Sequence, residues 1–182
     1  MPVVPNMAAF TAVTGKNFTC GIGTPVLANG SADCQEQSRS ADVTIGAGVA
    51  ISEPGSGVWI PYVPSRALYG YATGGSTWMG TGPFSGCHIA LFTKDGRLGM
   101  AHIAKESNTS ASGVAWTAFT KGGGVSVLNE WKVSMPDQAS YSASYIFLDL
   151  SNPRSVALTK VDVHVTGMGG SDGAIFGVSK VL

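Results

Sequence analysis

Hydrophobic residues occupy every second position from Val43 to Ile51, a pattern that predicts one half-buried β-strand over residues 41–51. Further strands are predicted at Val58–Val63, Ala67–Tyr71, Cys87–Thr93, Arg97–Ile103, Gly113–Phe119, Val125–Val133, Ala143–Leu150, Ala157–Val165 and Ala174–Val181. Parallel βαβ units would need helices of about a dozen residues between the strands. The pattern therefore predicts a mostly β (α+β) fold: a two-sheet, largely antiparallel β-sandwich with a few short helices.

The first forty residues lack this periodicity. They are rich in Gly, Ser, Asn and Thr, so they predict a loop-rich N-terminal segment over residues 1–40, with one short helix at Asn6–Val13. Lys105–Ser112 is polar and predicts a surface loop. A chain of 182 residues can bury the core of one domain but is short for two, so residues 1–182 are expected to form a single domain.

The segment from Cys87 to His102 predicts a β-hairpin with a tight turn at Lys94-Asp95-Gly96. Apolar residues alternate in phase with Cys87 on the first arm and in phase with His102 on the second. If these two apolar faces are paired, the thiol and the imidazole lie on the same side of the sheet as near cross-strand neighbours. A thiol beside an imidazole is the smallest set of side chains that catalysis by a thiolate nucleophile requires.

The run before the cysteine, from Thr81 to Gly86, is rich in turn residues and delivers the thiol to the start of its strand. Gly86 leaves room for a substrate carbonyl to approach closely. His88 follows Cys87 directly and should face the other side of the sheet. His164 alternates with valines and is expected on a solvated face. The three histidines are scattered over different predicted strands without the ligand spacing of a zinc site, so no zinc site is predicted.

The motif Phe84-Ser85-Gly86-Cys87 resembles the Leu-Ser-Gly-Cys motif of the glutamine deamidases typified by cytotoxic necrotizing factor and the Burkholderia lethal factor. The first position departs from the family pattern, since Phe84 replaces leucine. The spacing from Cys87 to His102 resembles that of the necrotizing factor toxins, and Thr81 matches a threonine of the lethal factor and of chemoreceptor deamidases. The resemblance extends only from Gly80 to Ile103.

This resemblance implies a β-sandwich enzyme in which Cys87 attacks a glutamine carboxamide and His102 acts as its base. Thr81 is expected to orient the imidazole through its hydroxyl or its main-chain carbonyl. Ser85 and Gly86 are expected to form the substrate and oxyanion-binding turn, together with the backbone N–H of Cys87. No cofactor or metal is implied. The partner is expected to be a host protein with an accessible glutamine, such as a small GTPase or a translation factor, and the chain is expected to be a monomer.

Other functions are compatible with the same residues. A small buried cysteine is often inert, which leaves a non-enzymatic β-sandwich binding module as the alternative from another class. A cysteine protease is the main enzymatic alternative, although its nucleophile usually begins a helix, whereas Cys87 precedes a predicted strand. Transglutamination is also open, because an amine can replace water as the acceptor.

The composition of the chain excludes two classes of expected binding partner. Charged residues make up only 12% of the chain, and eleven basic residues balance eleven acidic ones, so neither nucleic acid nor an anionic membrane surface is an expected partner. No apolar run has the length of a membrane span, and no Sec signal is visible. Cys20 and Cys34 are expected to be reduced, although they could pair. With the resemblance, these features suggest a secreted bacterial effector that acts in a host cytosol.

Overall fold

The computed structural model describes residues 3–134, 141–152, 156–166 and 172–182. Two helices and twelve strands are present in these ranges. The elements in chain order are α1 (Met7–Thr11), β1 (Asn17–Cys20), β2 (Cys34–Glu36), β3 (Arg39–Ile45), β4 (Val49–Ile60), β5 (Ala67–Tyr71), β6 (Trp78–Phe84), β7 (His88–Lys94), β8 (Arg97–Ile103), α2 (Ala111–Thr120), β9 (Val125–Lys132), β10 (Ser142–Asp149), β11 (Ala157–His164) and β12 (Asp172–Lys180). The predicted mostly β fold with two largely antiparallel sheets and short helices is confirmed.

The larger sheet has the strand order β1-β12-β11-β10-β6-β4-β3. Strand β1 also pairs in parallel with the first part of β4, through Phe18 opposite Val49, so six of the seven strands form a closed ring of pairings. The long strand β4 makes this possible because its second part pairs with β6, through Val58 opposite Met79. The interior of the ring is an aromatic core whose largest members include Phe18, Trp59, Tyr145 and Phe147.

The smaller sheet has the order β2-β5-β8-β7-β9 and packs against the outside of the ring. A second apolar core lies between the two sheets and includes Met79 from β6 and Met100 from β8. Helix α2 covers the other face of the smaller sheet, where Trp116 packs on Phe92 with ring centroids 5.7 Å apart. The two faces of β7 and β8 therefore meet different surroundings: one faces the larger sheet and the other faces α2.

The strand predicted at Gly113–Phe119 is wrong, because these residues lie in helix α2. Val114, Trp116, Thr117 and Phe119 favour strands intrinsically, which made the segment look extended. Tertiary packing decides otherwise, since Trp116 and Phe119 are spaced for one helix face and their rings stack at 5.3 Å. The Ser110 side chain accepts a hydrogen bond from the Gly113 N–H and caps the first turn.

The single strand predicted over residues 41–51 is also wrong, because the chain reverses within it and forms the hairpin β3–β4. Gly46 N–H donates to the Gly48 carbonyl at 2.8 Å in the turn. The register places Val43 opposite Ile51, so the turn keeps the buried residues of both arms on one face. The hydrophobic alternation therefore continues through the turn, and periodicity alone could not reveal it.

The N-terminal segment 1–40 has more regular structure than its composition suggested. Besides α1, which begins after the N-cap Asn6, it holds β1, β2 and the first residues of β3. Phe18 of β1 is fully buried in the ring, so this segment contributes to the core. Neither helix in the described ranges has the length and apolarity that crossing a membrane requires.

Candidate active site

The predicted hairpin is present as β7–β8. Lys94 pairs with Arg97 across a two-residue turn in which Asp95 and Gly96 have φ of 51° and 77°. Positive φ at both positions is the conformation of a type I′ turn, which suits the twist of a hairpin. The register places Ile89 opposite His102. Cys87, just before β7, packs against the same core as Ile89, so Cys87 and His102 lie on the same side of the smaller sheet.

Cys87 comes directly before β7 rather than within it. Its carbonyl accepts a hydrogen bond of 2.9 Å from the Val133 N–H, which holds the residue against the end of β9. The side chain is partly buried against the core between the two sheets. The thiol is therefore held at the rim of this core, on the side of the smaller sheet that faces the ring.

His102 is buried between the sheets, with 1% of its surface exposed. Its Nδ1 and the Thr81 Oγ1 share a hydrogen bond of 2.9 Å, which connects β8 in the smaller sheet to β6 in the larger one. Phe84 stacks on the imidazole with ring centroids 4.1 Å apart and an angle of 7° between the planes. Tyr62 covers it from another side at 5.2 Å. The ring is thus fixed in orientation by one hydrogen bond and two aromatic contacts.

A β-bulge in β6 lets Thr81 and Phe84 reach the same imidazole. Residues three apart in a regular strand point to opposite faces. Here Thr81 pairs with Ile146 and Phe84 pairs with Ser144, so Gly82 and Pro83 together oppose the single residue between those partners. The extra residue restores the phase and turns Phe84 to the face that Thr81 occupies.

Burial determines the protonation of both candidate catalytic groups. It raises the pKa of the Cys87 thiol to about 11. It lowers the pKa of the His102 imidazole to about 3. His102 Nε2 is buried and has no hydrogen-bond partner among the described residues, the Cys87 thiol included. At neutral pH both groups are therefore uncharged, and the unpartnered Nε2 is an acceptor or donor that the fold leaves available.

Ser85 and Gly86, expected in the substrate and oxyanion-binding turn, lie in the link between β6 and β7. Ser85 is exposed. Gly86 has a φ of +127°, a conformation that L side chains rarely adopt, and a Cβ there would contact only Lys132 Cε at 3.8 Å. The glycine is therefore required by the backbone conformation that leads into Cys87 rather than by crowding.

His88 faces away from the thiol, as the strand period predicted. It lies on the α2 side of the smaller sheet, where its Nδ1 is 3.5 Å from Glu130 Oε1. Lys105 Nζ donates to the same carboxylate at 2.5 Å, and Trp116 Nε1 donates to its other oxygen at 2.8 Å. Burial raises the pKa of Glu130, but these hydrogen bonds outweigh it and the net shift is downward. This cluster connects α2, β7 and β9 behind the candidate site.

Two contributors to the site were missed in the sequence. The stacking role of Phe84 depends on the bulge, which no periodicity reveals. Tyr62 follows the end of β4 between Pro61 and Pro64, and an aromatic residue between two prolines after a strand is only a weak signal. Burial raises the pKa of the Tyr62 phenol, and the nearby Cys87 raises it further, so the hydroxyl lies in the electrostatic range of the thiol.

All three cysteines are free thiols. In the described ranges no group of three or more His, Cys, Asp or Glu side chains is arranged to hold a metal ion. No protein-family model, curated protein or solved structure matches the chain.

Proposed function

We propose that this chain is a cysteine-dependent protein-glutamine deamidase. The observation that carries the proposal is the Thr81–His102 hydrogen bond, which lies on the side of the hairpin that also holds Cys87. Thr81 holds the imidazole at Nδ1 with a 2.9 Å hydrogen bond, Nε2 has no partner in the part of the chain that the structure describes, and the thiol lies on the same side of the smaller sheet. This is the order of orienting group, base and nucleophile that thiol catalysis requires. The resemblance of Phe84-Ser85-Gly86-Cys87 to the toxin motif supports the same reading.

The resting pair is neutral, so the proton leaves sulfur in the presence of substrate. In the proposed reaction Nδ1 carries the hydrogen that is donated to Thr81 Oγ1, and Nε2 accepts the Cys87 proton as sulfur attacks the glutamine carboxamide carbon. The backbone N–H of Cys87 donates to the oxyanion. The imidazolium then gives its proton to the departing ammonia. Water, deprotonated by the same nitrogen, hydrolyses the thioester to glutamate and restores the thiol.

The target and location of this activity rest on the resemblance alone. The proposed target is a host protein with an accessible glutamine, such as a small GTPase or a translation factor. The proposed location is the host cytosol, where the chain acts as a bacterial effector. Expression in host cells followed by peptide mass spectrometry tests both. We expect one glutamine of a host protein to change to glutamate with the wild type, and not with Cys87→Ser or His102→Ala.

His88→Ala is the matched control, because His88 belongs to the same hairpin but faces α2. It should retain the activity, and any change in its melting temperature would report only the lost contact with Glu130. Cleavage of the target backbone in place of the amide-to-acid change would identify a protease, and transfer of an added amine would identify a transglutaminase.

A non-enzymatic binding module is the second candidate, and a specific observation favours it. Burial raises the pKa of Cys87 to about 11 and lowers that of His102 to about 3, as it would for inert core residues. Two results together would identify a binding module. A binding module would capture its partner equally well with Cys87→Ser and would change no glutamine in any host protein.

A further inference from the structure

A cleft of about 470 Å³ adjoins the candidate active site. Its lining includes Ile22, Thr24, Trp59, Tyr62, Pro83 and Tyr145. Two of its features also belong to the site. Tyr62 lines the cleft and covers the His102 ring at 5.2 Å, and the β6 bulge lines it between the two residues that hold that ring. The cleft and the candidate catalytic pair are therefore separated by one tyrosine side chain.

The cleft has the chemistry of a peptide-binding surface for uncharged residues. None of its lining residues is Asp, Glu, Lys or Arg. Trp59 and Tyr145 form a buried floor, while Ile22, Tyr62 and Pro83 are half-buried in the walls. The carboxylate of Asp172 acts on Cys20 and Tyr145 from outside the lining. A charged side chain entering the cleft would lose water without a charged partner in its walls, whereas an apolar side chain would gain buried area. Its volume is in the ordinary range of ligand sites.

We propose that this cleft binds the segment of the target protein that flanks the reacting glutamine, and that this segment is extended, uncharged and carries a large apolar side chain. The inference rests on the proposed function. An extended segment places alternate side chains on one side, about 7 Å apart. An apolar residue two positions from the glutamine would then enter the cleft, while the glutamine carboxamide passes Tyr62 toward His102 Nε2. Tyr62 is a specificity-determining residue that divides the two positions.

Substitution at the exposed Thr24 tests the cleft without touching the candidate catalytic residues. Thr24→Arg places a charge and bulk at its wall, and Thr44→Arg makes the same change at an exposed position of β3 outside it. The substrates are two peptides with blocked ends. In each, a glutamine lies between two glycines, and the residue beyond each glycine is leucine in one peptide and lysine in the other. We expect Thr24→Arg to raise the KM for the leucine peptide about tenfold, the loss of one modest apolar contact. Thr44→Arg should leave that KM unchanged.

Calorimetry with the Cys87→Ser variant separates this inference from the proposed function. If the wild type releases no ammonia from either peptide, the deamidase proposal fails, and binding still decides the role of the cleft. Binding of the leucine peptide in preference to the lysine peptide, lost in Cys87→Ser/Thr24→Arg and kept in Cys87→Ser/Thr44→Arg, supports it. Equal binding of the two peptides, equal binding by the two double variants, or no binding of either peptide overturns it.

Discussion

Thr81 and His102 belong to different sheets and share one hydrogen bond of 2.9 Å through Oγ1 and Nδ1. Both residues are buried, so neither atom can exchange this partner for water. The contact therefore has two consequences. It fixes which imidazole nitrogen is left for chemistry, and it ties the position of β8 to that of β6.

Thr81→Val should destabilise the protein while preserving the shape of the side chain. It leaves Nδ1 buried without a partner, which costs about 1 to 3 kcal/mol. Urea unfolding monitored by fluorescence measures the loss, and Thr81→Ser is the control because it keeps the hydroxyl. Equal unfolding free energies for the wild type and Thr81→Val would show that the hydrogen bond contributes nothing to stability.

Stability should fall in acid because of His102. Burial lowers its pKa to about 3 in the folded state, from 6.5 when unperturbed. Between these values the unfolded chain binds a proton that the folded chain does not, so the free energy of unfolding decreases as the pH falls. From this one group the slope approaches about 1.4 kcal/mol for each pH unit.

Unfolding curves of the wild type and His102→Gln between pH 4 and 7 isolate this contribution. The difference between the two free energies should shrink as the pH falls, because the variant lacks the titrating group. A difference that stays constant over this range would mean that the imidazole is protonated with similar ease in both states.

Alkylation should find no reactive thiol in the free protein at neutral pH. Burial raises the pKa of Cys20, Cys34 and Cys87 alike to about 11, so all three rates should be low and should increase toward that pH. Iodoacetamide labelling with peptide mapping measures each rate. Under the deamidase proposal, a chloroketone analogue of glutamine labels Cys87 faster than it labels Cys20 or Cys34, and the difference in rate disappears in His102→Ala. Selective iodoacetamide labelling of Cys87 near pH 7 would contradict a neutral resting pair.

Gly86→Ala should destabilise the protein by about 1 kcal/mol or more, because a φ of +127° strains any L side chain whatever space surrounds it. Gly74→Ala is the matched control: among the described residues a Cβ at Gly74 would have no atom within 4 Å and one at Gly86 would meet only Lys132 Cε at 3.8 Å, but the φ of Gly74 lies outside the strained range. Thermal unfolding of both variants checks this. Equal melting temperatures would show that the turn before Cys87 relaxes at no cost.

The sequence predicted the elements whose signals are local. Strands β5 and β8 have the bounds expected from their residues, and the Asp95-Gly96 turn sets the β7–β8 register that places Cys87 and His102 on one face. These features depend on alternation and turn chemistry within a short segment. The pairing of Thr81 with His102, expected from the resemblance, is present as a side-chain hydrogen bond.

What could not be predicted depends on distant segments. Residues of α2 are helical because Trp116 and Phe119 contact the smaller sheet, and these contacts outweigh the strand preference of the two residues. The bulge that turns Phe84 toward His102 is visible only in the pairing of β6 with β10. The imidazole is covered by Phe84 of β6 and by Tyr62 of the loop after β4, both distant from His102 in the sequence, so no local pattern could have given the protonation of the pair.

The first twenty residues are needed for solubility because β1 closes the ring of the larger sheet. Strand β1 fills the gap between β12 and β4, so a chain lacking the residues through Cys20 would leave two strand edges unpaired and the aromatic interior of the ring open to water. Unpaired edges beside an exposed apolar core recruit strands from other molecules. Such a truncated chain is expected to aggregate, although every residue of the candidate active site would still be present.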